Sequence, residues 1–382
     1  MKIAILDTYY PGFLDTHYRA QPGLGSASYV AQRDALMAQA FGTADFYSRH
    51  LRAAGHEVQD LVVNCAPLQM AWAREAGHRV SAWSMNIPPR LLRAPVVGPW
   101  LCALSGLIGI AVAQIRAQRP DVLYCQDLWF LPPAILADLK SSVGLIVGQT
   151  ASPLPPAEYL KPYDLITTSF PHFVPRLRER GIAAEYLRIG FDESVLAQLG
   201  PVDQDIAVSF VGGISRHHGK ALPLLERLAA ATPIEFFGYG AERLPESSPI
   251  RARHGGEVWG LDMYRALARS RITLNRHIDV AENNANNMRL YEATGVGALL
   301  VTDRKDNLGE LFEPGREVVV YGDAEEAVEL IRHYLDHPEE ARTIAQAGQA
   351  RTLAQHTYRQ RMQELAPMLE RHLAARLRGR AQ

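Results

Sequence analysis

The chain is predicted to be an α/β protein of two doubly wound, Rossmann-like units in tandem, and three observations lead there. Its 382 residues are more than one hydrophobic core usually organises. Short β-rich runs alternate with helix-length amphipathic segments, the rhythm of parallel strands covered by helices. That rhythm stops at residues 191–205, after Gly190, where Gly200, Pro201 and several acidic residues interrupt it, and then restarts. The expected boundaries are an N-terminal unit over 1–190, a linker over 191–205, a second unit over 206–355 and a C-terminal helix over 356–382.

In the first half the strand candidates are 2–7, 57–64, 122–127, 145–150, 165–169 and 185–189, with helical stretches such as 28–54 and 133–140 between them. The opening run Met1-Lys2-Ile3-Ala4-Ile5-Leu6-Asp7 is too short for the apolar part of a signal peptide and meets an acid at once. It predicts a first strand and a cytoplasmic protein. After the break come a strand 206–211, a helix 220–231, a strand 234–237, a helix 262–270 and a strand 272–275. A helix 287–294, strands 298–302 and 317–321 and a helical tail from Ala324 complete the pattern. Ligands of open parallel sheets bind beyond the carboxyl ends of the strands, so two facing sheets predict one central cleft.

Composition removes several classes of function. With 40 Lys+Arg against 41 Asp+Glu, the chain lacks the excess cations of a nucleic-acid binder, and an anionic partner must be met locally. Cys65, Cys102 and Cys125 have neither disulfide nor zinc-ligand spacing, which implies a reducing compartment and no metal. Residues 94–115 carry no charge and are bracketed by Arg93 and Arg116, but Pro95 and Pro99 break the first third. A buried helix is the expected reading, with peripheral contact at the inner membrane surface as the alternative.

Three clusters carry chemistry. In Glu282-Asn283-Asn284-Ala285-Asn286-Asn287-Met288-Arg289-Leu290-Tyr291-Glu292, asparagines suit a helix N-terminus near Asn287, because their side chains cap free backbone N–H groups. Such an end attracts phosphate, and Glu292, one turn in, can take the two hydroxyls of a ribose. The plainer reading is a capped helix with an exposed Arg289–Glu292 pair. In Ser209-Phe210-Val211-Gly212-Gly213-Ile214-Ser215-Arg216-His217-His218-Gly219-Lys220, a strand delivers a Gly-Gly turn followed by two cations suited to a diphosphate. It is not a Walker A loop, since Ala221 follows Lys220, and a solvated basic turn is the alternative. Third, His277 and Asp127 lie at strand ends, His277 as a ligand to a sugar or phosphate oxygen or a structural ring, Asp127 as a base or a helix cap. The Gly/Ser loop holding Gly25 and Ser26 lies too far past the first strand for a dinucleotide fingerprint and is read as acceptor-side. Asp203-Gln204-Asp205 precedes its strand and is set aside as a metal pair.

Residues 209–361 resemble the GT-B nucleotide-sugar glycosyltransferases, specifically the CgeB-type group. The resemblance rests on Phe210-Val211-Gly212-Gly213, Gly260-Leu261-Asp262-Met263-Tyr264, Asn275-Arg276-His277 and Met288-Arg289-Leu290-Tyr291-Glu292-Ala293-Thr294-Gly295. Leu311-Phe312 with Glu317-Val318-Val319-Val320-Tyr321, and His356-Thr357-Tyr358 with Arg361, follow in order. It implies a donor site in the second unit, with Glu292 on the ribose, Arg216 and Lys220 near the diphosphate, and Gly238-Tyr239-Gly240 beside the base. The acceptor would lie on the first unit and the last helix would cross back onto it. Many retaining relatives have a Glu where this chain has Asn284, and His-x-His-Asp where it has Tyr124-Cys125-Gln126-Asp127. These departures leave the donor sugar and the stereochemical outcome open. The expected activity is metal-independent, cofactor-free transfer from a UDP-type donor to an acceptor that is a glycan, a lipid-linked molecule or a small molecule. The alternatives are a nucleotide-sugar epimerase of the same architecture and a non-catalytic nucleotide-sugar binder.

Overall fold

The computed structural model describes residues 1–87, 91, 98–214 and 221–381. The chain divides into two compact units, one of residues 1–187 with 362–382 and one of residues 188–361.

The first unit holds a six-stranded parallel sheet of β1 (Lys2–Asp7), β2 (Glu57–Val62), β3 (Val122–Cys125), β4 (Leu145–Thr150), β5 (Leu165–Thr168) and β6 (Ala184–Tyr186). The order is β2-β1-β3-β4-β5-β6. The second unit holds β7 (Ile206–Val211), β8 (Ile234–Phe237), β9 (Ser270–Asn275), β10 (Leu299–Asp303) and β11 (Val319–Tyr321), parallel and ordered β11-β10-β9-β7-β8. Helices cover both faces, so the strands are apolar on both sides, and every residue of β3 and β5 is buried. Each sheet has a switch point where successive connections leave in opposite directions, between β1 and β3 in one and between β7 and β9 in the other. Loops diverge there and open a crevice, so the strand ends at these two places are where ligand chemistry is expected.

Several elements differ from expectation for identifiable reasons. The helical stretch 28–54 is two helices, Tyr29–Met37 and Phe46–Ala53, because the chain reverses through positive φ at Ala40 (51°), Gly42 (60°) and Ala44 (38°). The tail from Ala324 is three helices, Ala324–Asp336, Pro338–Gln355 and Tyr358–Ala381, and Pro338 opens the second because its missing N–H is harmless in a first turn. Helices Pro11–Ala20 and Ala66–Glu75 also open with a proline in the first turn.

Residues 94–115 fall partly outside the described residues. Beyond them stand helices Gly98–Leu104 and Gly106–Gln118, and the second buries Ile108, Ile110, Ala111 and Ile115. Among the described residues no helix is long and apolar enough to cross a membrane.

Residues 191–205, expected as a linker, are built into the second unit. Phe191 is fully buried, and its ring fills the space where a Cβ on Gly295 would stand, 2.5 Å away. It bridges to the far end of the unit: Phe191 N–H donates to His356 O (2.8 Å) and Tyr358 N–H to Phe191 O (2.9 Å). Arg361, 1% exposed, closes this crossing by donating to Ile189 O (3.1 Å), Gln355 O (2.9 Å) and His356 Nδ1 (3.0 Å). His356 therefore accepts at Nδ1 and donates from Nε2 to Leu311 O (2.8 Å), a neutral ring whose pKa burial lowers to about 4. From Met362 onward the last helix belongs to the first unit, where His372 meets Glu185 (3.2 Å) and Arg376 pairs with Asp164.

Candidate functional site

Next to the switch point of the second unit, two backbone turns meet closely. Gly212 N–H donates to Phe237 O (2.9 Å) and Ile214 N–H to Tyr239 O (2.8 Å), so the turn after β7 lies along the turn after β8. A Cβ on Gly213 would stand 2.3 Å from the Tyr239 ring, and one on Gly240, at φ 100°, only 2.0 Å from Ile214 O. Glycine is what lets the two turns touch. Half-buried Tyr239 stacks on Trp259, with centroids 5.9 Å apart and planes 11° apart.

Beside these turns the helix Met288–Gly295 begins at Asn287, whose side-chain oxygen accepts from Leu290 N–H (3.2 Å). The Asn287 amide donates to Asn275 Oδ1 (2.8 Å) and Asn275 donates to Thr302 Oγ1 (2.9 Å), so the cap is tied to the ends of β9 and β10. Arg289 donates to Val211 O (3.0 Å), the last residue of β7, and pairs with Glu292 at 2.7 Å. The side chains of this pair are 15% and 5% exposed, not the exposed surface pair of the plainer expectation. Burial raises the Glu292 pKa against the opposing charge of Arg289, and Tyr264 OH stands 3.5 Å from its second oxygen.

His277, just past β9, is buried and held twice by Asp303 at the end of β10, through its backbone N–H (3.0 Å) and through Nδ1 (2.7 Å). Burial opposes ionisation of Asp303, but the His277 bonds and Lys305, 3.3 Å away, outweigh it and hold the carboxyl below its ordinary pKa. With Nδ1–H given to that carboxylate, Nε2 has no partner among the described residues.

The equivalent edge of the first unit is acidic. Asp7 ends β1, and Asp127 follows β3, its neighbour in the sheet. Thr8 joins them, giving its N–H to Asp7 Oδ1 (2.8 Å) and its hydroxyl to Asp127 Oδ2 (2.8 Å). Asp127 Oδ1 also accepts Trp129 N–H (2.7 Å), so this carboxylate does cap the turn that follows it. Burial, aided by the charges of Asp127 and Asp60, raises Asp7 from 3.8 to about 7, against the Thr8 bond that lowers it. Thr43 donates to Gln126 (2.9 Å) on the same edge.

The comparisons with known proteins bear on the second unit first. Residues 217–366 match the profile of a family described as "Glycosyl transferase-like". This stretch is similar to that family over about two fifths of the chain. Over the whole chain the fold is that of GT-B glycosyltransferases. It matches sucrose-phosphate synthase from Thermosynechococcus elongatus (TM-score 0.59, 14% identity, 98% of this chain and 99% of that one). It matches HepE of Anabaena in complex with UDP-glucose (0.60, 15%, 97% and 99%) and AviGT4, a glycosyltransferase involved in avilamycin A biosynthesis (0.55, 17%, 98% and 99%). No curated protein matches the chain in sequence.

Within the second unit, Asn287, Arg289, Glu292 and His277 stand with the turns of Gly212, Gly213 and Tyr239 around the ends of β7 to β10. Arg216 and Lys220 lie outside the described residues. In the first unit Gly25 and Ser26 lie in an exposed turn, Leu24–Ser26, whose Gly25 O accepts from buried Gln32 (3.3 Å). Among the described residues no group of three His, Cys, Asp or Glu side chains could hold a metal ion.

The sequence reasoning missed Asp7, Asp303 and Tyr264 as neighbours of these residues. Asp7 had a usable signal, an acid ending the first strand. Asp303 had only the acid closing β10, with nothing to pair it with a histidine 26 positions earlier.

Proposed function

We propose that the chain is a nucleotide-sugar glycosyltransferase with a UDP-type donor bound in the second unit, within the CgeB-type group that its motifs resemble. The buried Arg289–Glu292 pair, one turn inside a helix whose cap is tied to two strand ends, is the observation that carries this reading. The arrangement offers a rigid helix N-terminus to a phosphate and a carboxylate to a ribose diol. That HepE, a protein of the same fold, is described in complex with UDP-glucose adds support.

In such a transfer the bond from the sugar anomeric carbon to the diphosphate oxygen breaks and a bond to an acceptor hydroxyl oxygen forms. The diphosphate leaves with both electrons of the broken bond, and the acceptor proton passes to a base. Arg216, Lys220 and the amides at the Asn287 cap would meet the charge on the leaving group, without a metal ion or a further cofactor. His277 Nε2 would bond a sugar or phosphate oxygen, and Asp127 or its neighbour Asp7 would take the acceptor proton.

Titration calorimetry with UDP tests the donor assignment on the full chain. Glu292→Gln and Arg216→Ala are each expected to weaken binding by about ten-fold, as the loss of a charge-assisted bond does. Unchanged affinity in both would sink the reading. Product analysis with UDP-sugar alone is expected to return unaltered donor or slow hydrolysis; an epimerised sugar would overturn transfer.

A further inference from the structure

Residues 76–120 contain five arginines, Arg79, Arg90, Arg93, Arg116 and Arg119, and no Asp or Glu, in a chain whose acids and bases nearly balance as a whole. The same stretch carries the two most exposed large hydrophobic side chains among the described residues, Trp100 at 66% and Trp83 at 60%, with Leu91 at 41%. Trp83 lies in the turn Ala82–Asn86 and Trp100 in the helix Gly98–Leu104, two elements that adjoin the start of the helix Gly106–Gln118. The turn Ala82–Asn86 packs on its first residue, since a Cβ on Gly106 would meet Ser84 Oγ, Met85 Sδ and Val80 Cγ1 at 2.6–2.7 Å, and the helix Gly98–Leu104 joins it through Ser105. Arg79, next to Val80, is exposed.

We propose that this end of the first unit docks on an anionic phospholipid surface, with Trp83 and Trp100 entering the interface and Arg79 meeting the headgroups. Tryptophan has an apolar body and a polar N–H, which suits it to the boundary between headgroups and acyl chains. Arg116 is paired with Asp138, but exposed Arg79, in a stretch of sequence without acids, matches the negative potential of such a surface. The tryptophans stand on separate elements, each more than half exposed, instead of lining a packed pocket, which fits shallow insertion better than a protein hot spot. The helix Gly106–Gln118 keeps Ile108, Ile110, Ala111 and Ile115 in the core, so the contact lies along the bilayer surface. This docking does not rest on the donor reading, and it is measured without nucleotide.

Co-sedimentation of the full chain with phosphatidylcholine vesicles, with and without phosphatidylglycerol, is the test. Binding is expected on the anionic vesicles and is expected to weaken with salt. Trp83→Ser combined with Trp100→Ser should weaken it by about ten-fold or more. Arg79→Ala should weaken it by about five-fold. UDP affinity should be unchanged in all of them. No binding to anionic vesicles at low salt, equal binding to both vesicle types, or wild-type binding by the double variant would each overturn the proposal. Self-association of the wild type that the double variant abolishes would make a second copy the occupant, and would overturn it too. Should the double variant unfold, brominated lipid provides the reading on the wild type: quenched tryptophan emission supports docking, and unquenched emission overturns it.

Discussion

At the end of β7 an arginine, a backbone carbonyl and a buried glutamate are locked together, whereas at the end of β1 two carboxylates share one threonine. Both places are the switch point of a parallel sheet, so the topology is the same and the chemistry is opposite. The second-unit edge couples a capped helix N-terminus to a neutralised ion pair and suits an anionic group. The first-unit edge holds Asp7 and Asp127 and would repel a diphosphate, while one of its acids is placed to hold or take a proton near neutrality.

The largest expected effect breaks the second-unit edge. Arg289→Ala removes the partner of a carboxylate that is 4% exposed as a residue, together with the bond to Val211 O. Stranding one member of a buried pair costs about 3–5 kcal/mol. Urea denaturation of the full chain should show a loss of that size. Lys2→Ala, which removes the exposed Lys2–Glu57 pair in the first unit, should change stability by less than about 1 kcal/mol. Equal losses would mean that the burial of the Arg289 pair carries no energetic weight.

The next effect sharpens the first-unit edge through pH. Asp7 rises from 3.8 to about 7 on folding, so below pH 4 it is protonated in both states and contributes no slope. Between pH 4 and 7 the unfolded chain releases this proton while the folded one keeps it, so stability falls as pH rises and the loss is complete above about 7. Asp7→Asn imitates the protonated acid and should remove that slope, leaving the variant more stable than the parent at pH 8 by at most about 4 kcal/mol. If Asp7 also takes the acceptor proton, the variant gains stability and loses transfer, opposite signs in two assays. A variant with the parent's stability profile would show that Asp7 titrates as an ordinary surface acid.

Much of this contrast is legible in the residues themselves. Parallel strands covered on both faces are continuous apolar runs, so β1, β4, β7 and β8 stand where those runs predict them. The Asn-rich approach to Met288 announces a capped helix, because those side chains compete for backbone N–H groups. What the residue pattern hides depends on contacts between distant positions. Ala40 and Ala44 show no local sign of positive φ, and nothing beside Phe191 says that its ring replaces a side chain at Gly295. The Arg289–Glu292 pair is visible as a spacing, but only the packing of Tyr264 and β7 around it shows that it is buried.

The smallest effect tests how the two acids of the first unit are joined. Thr8 gives Asp7 a backbone N–H and Asp127 a hydroxyl, so Thr8→Val keeps the first bond and removes the second. Valine is close to isosteric, and the lost hydrogen bond should cost about 1 kcal/mol, since Asp127 keeps its bond from Trp129 N–H. The informative readout is the pH dependence of transfer. Losing the hydroxyl takes a donor from Asp127 and leaves Asp7 its own bond. If Asp7 sets the essential ionisation, the acidic limb of the profile should move little while the rate falls as Asp127 loses its fixed orientation. A limb that moves would show that Asp7 alone does not set it.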